Sequence, residues 1–127
     1  GIEGCQEGPA SLQSIEAALE VANSRKDHWG AASLQLRRGA CLRRSRDFAG
    51  AGTALSSSLA LFPRFARALE ELGKLQVDQG LYQQATRTFE TLLRVDRKWS
   101  TVSDWLVRAS TLNRRQEASV PAENPSI

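Results

Sequence analysis

The sequence predicts an all-α domain: a stack of antiparallel helix pairs with about six helices, the last one a cap. Three observations predict it. Residues 32–65 written above residues 66–99 align at a constant offset of 34, with large residues meeting large ones and small meeting small. Within each unit the apolar residues recur three and four apart, the spacing of one helical face. Glycines repeat at the same place inside the two units, where a helix interior ordinarily avoids them.

The register is specific. Gly39 falls on Gly73, Phe48 on Tyr82, Ala51 on Ala85, Leu55 on Phe89, Leu59 on Leu93, Leu61 on Val95 and Phe65 on Trp99. In the second unit Leu69, Leu72, Gly73 and Gln76 share one helical face. Gly80 then ends that helix, because glycine tolerates the left-handed turn past a C-terminus. A second apolar pattern runs through Tyr82, Ala85, Phe89, Leu92 and Leu93 and closes at Asp96-Arg97-Lys98. Glycine inside a helix costs about 1 kcal/mol against alanine. Gly39 and Gly73 are therefore expected where two helices approach closely, with Ala51 and Ala85 facing them.

The flanks extend the pattern. Residues 11–24 carry Leu12, Ile15, Ala18, Leu19 and Ala22 at helical spacing, and Asp27 is placed to cap the helix that follows. Residues 101–115 carry Val102, Trp105, Leu106, Ala109 and Leu112, which suits a terminal helix covering the last apolar face. The expected organisation is a flexible segment at 1–10, a helical repeat domain at 11–115 and a disordered tail at 116–127, where apolar content is low. Within the domain, 32–65 and 66–99 are full repeats and 11–24 and 101–115 are flanking helices. The chain contains no Met and opens Gly1-Ile2-Glu3-Gly4 without a leader pattern, so it reads as a piece of a larger protein.

These residues resemble the tetratricopeptide repeat, whose 34-residue pattern runs through a large residue, Leu-Gly, Tyr, Ala and Phe. Here Leu69, Leu72-Gly73, Tyr82, Ala85 and Phe89 carry it, as do Gly39, Leu42, Phe48, Ala51, Leu55 and Pro63 in the first unit. The unit departs from the family where Arg97 replaces a proline and Gln76 an aromatic, and where Gln35 and Arg38 stand at apolar positions. The resemblance implies a right-handed α-solenoid in which the first helix of each pair lines a concave, peptide-binding groove. By that register the groove positions are Ser33, Leu36, Arg37, Ala40 and Arg44, then Arg67, Glu70, Glu71, Lys74 and Asp78. Leu36 and Ala40 occupy the places of the Lys and Asn that let some members grip a chaperone's terminal carboxylate, so that clamp is not expected. Residues 96–105 followed by a cap resemble arrays found in co-chaperones.

Chemistry of other kinds finds little support. Hydrophobic residues make up 41% and charged residues 24%, with a net charge of +3, as in ordinary soluble domains. No apolar run approaches the roughly 18 residues of a membrane span. His28 is the sole histidine and Cys5 and Cys41 the sole cysteines, too few for a clustered metal site. No glycine-rich phosphate loop is present. Glu70 and Glu71 are helix neighbours that point about 100° apart, so they form no proton-sharing pair. The chain is expected to be no enzyme and to take no cofactor or metal. The two cysteines are expected as free thiols, which favours a reducing, intracellular compartment.

Arg37, Arg38, Arg43, Arg44 and Arg46 crowd one stretch without an acid until Asp47. A guanidinium fork suits carboxylate and phosphate, although long arginine stems also simply cover apolar surface. Trp29, Trp99 and Trp105 are read as mainly structural. The expected function is a non-catalytic protein–protein interaction module holding a peptide or helix of a partner protein in the groove, with acidic partners suited to it. Two alternatives stand beside it: nucleic-acid binding through the arginine cluster, and a structural, self-associating spacer.

Overall fold

Helices α1 (Leu12–Ser24), α2 (His28–Arg44), α3 (Phe48–Leu61), α4 (Ala66–Asp78), α5 (Tyr82–Val95) and α6 (Val102–Ser119) follow one another through short turns. The structure, a computed structural model, describes Cys5 and residues 11–119, and among these residues there is no strand. Side chains at the boundaries explain where α1, α2 and α3 begin. Ser11 accepts from the Ser14 N–H at 3.2 Å, Asp27 from Gly30 at 2.9 Å and Asp47 from Gly50 at 3.0 Å, each satisfying a donor the helix leaves orphaned.

The ends follow a common device. Lys26, Arg46 and Gly80 adopt positive φ of 56°, 65° and 76°, just past α1, α2 and α4. The next residue's N–H then reaches back five residues: Asp27 to Ala22 O at 2.8 Å, Asp47 to Leu42 O at 2.9 Å and Leu81 to Gln76 O at 2.8 Å. This is the left-handed cap that glycine adopts most readily, used here twice without glycine.

Each helix packs on the next, and the even-numbered helices also touch, α2 with α4 and α4 with α6. The α2–α3 pair runs antiparallel. Ser58, fully buried, donates to Ala32 O at 2.8 Å, and Gly39 lies against Leu55 and Ala51 nearer the turn. In α4–α5, Gly73 lies against Phe89, and Thr88 donates to Gln76 Oε1 at 2.6 Å. The expected glycine–alanine facing needs correction. The atoms nearest the missing Cβ belong to the Leu55 side chain at Gly39 and to the Phe89 ring at Gly73, with the Ala51 carbonyl next, 3.4 Å from a Cβ built on Gly39. Ala51 and Ala85 are fully buried in the same pairs.

Three apolar clusters run along the molecule. Ile15, Leu19, Ala22 and Ala31 join α1 to α2, and Leu42, Ala51, Leu55 and Leu75 join α2, α3 and α4. Leu69, Val77, Ala85, Phe89, Leu92, Val102 and Ala109 join α4, α5 and α6. Burying each leucine, isoleucine, valine or phenylalanine among them stabilises by about 1.5–3 kcal/mol. Trp105 stacks on Phe89 with ring centroids 5.8 Å apart.

Three expectations are corrected here. The cysteines are not free: Cys5 and Cys41 form a disulfide with Cα atoms 5.4 Å apart. Preference for a reducing compartment rested on free thiols alone. Cys5 is buried rather than part of a loose end, because Cys41 faces inward from α2 and holds it there. Residues 116–119, expected in the tail, belong to α6, which continues to Ser119, and Gln116 donates to Gly80 O at 3.1 Å; residues 120–127 lie outside the described residues, as do the remaining positions of 1–10. Trp29, read as mainly structural, packs on Phe62 and Phe65 while 57% of it stays exposed.

Candidate binding groove

Arg43 ties α2 to α4. Its Nε donates to Glu71 Oε2 and its Nη1 to Asp78 Oδ2, both at 3.0 Å. Burial alone would lower the guanidinium's pKa, but the two carboxylates outweigh it and raise it above its ordinary value. Arg43 thus leaves the arginine cluster to serve as a strut. Arg38 turns the other way and meets Glu16 of α1 at 3.7 Å. Gln35 buries its Oε1 without a hydrogen-bond partner among the described residues.

Glu70 anchors the start of the cap. It accepts from Trp99 Nε1 at 2.7 Å and from the Thr101 hydroxyl, and Lys74 Nζ lies 3.7 Å from its other oxygen. Burial pushes its carboxyl up, yet these donors outweigh burial and hold it below its ordinary value. Lys74 also reaches Glu71 at 4.0 Å and stands 5.7 Å above the Trp105 ring. The adjacent carboxylates Glu70 and Glu71 therefore share a cation, not a proton.

Beside this network a groove of about 330 Å³ opens between α2 and α4, lined by Ile15, Leu36, Arg37, Ala40, Arg44, Arg67, Glu70 and Glu71. The spacing places them there: on α2, positions 36, 37, 40 and 44 fall within one helical face, as 67, 70 and 71 do on α4. Arg37, Ala40, Arg44, Arg67, Glu70 and Glu71 thus come together. The other three positions do not line the groove. Ser33 is half-buried on α2, Lys74 is engaged by the two glutamates, and Asp78 is engaged by Arg43. Ile15, from α1, enters the lining although the repeat register offered no place for it.

A second depression, about 470 Å³, is lined by Trp29, Phe62, Pro63, Arg64, Phe65 and Ala66. Trp29 meets Phe62 edge-on with centroids 5.3 Å apart and Phe65 at 4.9 Å. These ring contacts agree with a packing role for Trp29, although 57% of it stays exposed.

His28 is exposed at the start of α2. Among the described residues no group of three or more His, Cys, Asp or Glu side chains is arranged to hold a metal ion. No helix among them is long and apolar enough to cross a membrane. In comparisons with known proteins, no family model matches the chain and no curated protein matches its sequence.

Proposed function

We propose that this chain is a tetratricopeptide-like module, a right-handed stack of helix pairs that holds a peptide or helix of a partner protein in the groove between α2 and α4. It does so without chemistry of its own, as part of a larger protein. One observation carries the reading: residues from two repeats, picked by the same 34-residue register, converge on a single groove in which Leu36 and Ala40 supply apolar floor and arginines supply charge. A rigid two-helix cleft of this kind suits an extended or helical segment. The contacts of α2 with α4 and α4 with α6 support the stacked arrangement.

The test places a photo-crosslinking residue at Ala40, and separately at Thr53 on the outer side of α3, and purifies what each captures. The reading expects a protein that links at Ala40 and not at Thr53, and that is lost when Arg37→Glu and Arg44→Glu are combined in a chain of unchanged helicity. A partner indifferent to the double substitution overturns it. Titration with single-stranded RNA runs in parallel. Tight binding that weakens steeply with salt would replace the protein partner with nucleic acid.

A further inference from the structure

The groove carries both signs of charge, but only one sign is left to spend on a ligand. Glu70 is engaged by Trp99, Thr101 and Lys74, Glu71 by Arg43 and Lys74, and Asp78 by Arg43. Arg37, Arg44 and Arg67 form no ion pair among the described residues, and Arg44 Nη2 donates to Cys5 Sγ at 3.8 Å. Among the described residues, three guanidinium forks therefore line one groove with no carboxylate engaging them. The forks favour carboxylates, each of which can accept two parallel hydrogen bonds.

The aromatic depression belongs to the same track. Trp29, Ser33, Leu36, Arg37, Ala40 and Arg44 stand at i, i+4, i+7, i+8, i+11 and i+15, which keeps them within about 100° of arc on α2. Phe65 precedes Arg67 by two residues at the start of α4. The exposed indole and its two phenylalanines thus lie at one end of the track and Arg44 at the other. Between them the charge is discrete. A uniform run of phosphates would leave charges unmatched over about 10 Å of α2 between Arg37 and Arg44, whereas a peptide places its carboxylates only where arginines stand.

We propose, on the basis of the groove reading above, that the occupant is an extended acidic segment of a partner protein with a large apolar or aromatic side chain at one end. That side chain seats against Trp29, Phe62 and Phe65, and carboxylates further along meet Arg37 with Arg67 and then Arg44. The helix rise of about 1.5 Å per residue sets Arg37 about 12 Å and Arg44 about 22 Å from Trp29. At about 3.3 Å per extended residue, the acids fall about four and seven residues from the anchor.

A positional scan tests this. Fluorescent twelve-residue peptides carry one Phe at an end and two Glu three residues apart, the gap from Phe to the first Glu running from one to eight, in both chain directions. Anisotropy should show tightest binding near a gap of four in one direction. Arg37→Gln and Arg44→Gln should each weaken that peptide about tenfold, as expected for losing a charge-assisted bond. Trp29→Ala, at an exposed site, should abolish the preference for Phe over Ser while helicity stays intact, and Trp29→Phe should restore it. Binding that ignores the gap, or a Phe preference that survives Trp29→Ala, overturns the proposal. So does a neutral Phe peptide that binds as tightly as the acidic one; if that peptide links at Ala40 and is lost when Arg37→Glu and Arg44→Glu are combined, the groove reading still stands. A twelve-nucleotide RNA that outcompetes the best peptide at equal salt overturns both.

Discussion

A Cβ added to Gly73 would lie 2.5 Å from Cε1 and Cζ of Phe89, inside the volume of a fully buried ring. One repeat earlier, a Cβ on Gly39 would lie 2.6 Å from Cγ of Leu55. Gly52, by contrast, has only Leu75 Cδ2 near, at 3.8 Å, an ordinary contact. Alanine gains about 1 kcal/mol over glycine in a helix, while overpacking a tight contact costs about 1–3 kcal/mol. Gly73→Ala and Gly39→Ala should therefore lower stability, Gly73→Ala more because a ring yields less than a leucine, and Gly52→Ala should raise it. Urea midpoints of the three variants check the order.

Lys26 sits in the left-handed cap at φ 56°, where a side chain is disfavoured by about 1–2 kcal/mol. Lys26→Gly should stabilise by about 1 kcal/mol, with part of the relief returned because glycine also frees the unfolded chain. Arg46→Gly should gain less, since the Arg46 guanidinium stands 4.8 Å over the Phe48 ring and that contact is lost. Equal gains in thermal melts would refute the stacking argument.

The fold holds the Glu70 carboxyl below its ordinary value of 4.5. A group whose folded pKa is depressed stabilises fully above its unfolded value, and that contribution fades as pH falls through the folded one. Stability should thus decline on acidification below about 4.5, and Glu70→Gln should flatten that acid limb. Denaturant midpoints measured from neutral pH to about pH 3 decide it; an unchanged limb in the variant would remove Glu70 as its cause.

Cys5 and Cys41 close a ring across a sequence separation of 36. Cross-links of that span stabilise by about 2–4 kcal/mol, chiefly by restricting the unfolded chain. Cys5→Ser and chemical reduction should lower the denaturant midpoint to the same extent, and reduction should leave Cys5→Ser unaffected. Thiol titration of the unfolded, unreduced chain should find no free sulfhydryl.

Local patterns make most of the fold legible. Asp27 as a cap, Gly80 as a stop and the 34-residue offset are all short-range consequences of helix geometry, so residues alone reveal them. Rotation of α2 is less legible, because Gln35 and Arg38 interrupt its apolar stripe and blur which arginines face the groove. Arg43 and Arg44 are neighbours some 100° apart; one spans to Glu71 and Asp78, the other lines the groove, and only the position of α4 separates their roles. The Cys5–Cys41 bond and the meeting of Trp29 with Phe62 join residues distant in sequence, with no periodicity to announce them.

Glu70 lines the groove and at the same time receives the Trp99 indole and the Thr101 hydroxyl from the turn that leads into α6. Seating of the final helix and the posture of that carboxylate are therefore one equilibrium viewed from two sides. Thermodynamic reciprocity then applies: whatever occupies the cleft and favours this posture tightens the attachment of α6 by the same factor. A neighbour pulling on α6 would, in turn, loosen the occupant's grip without touching it.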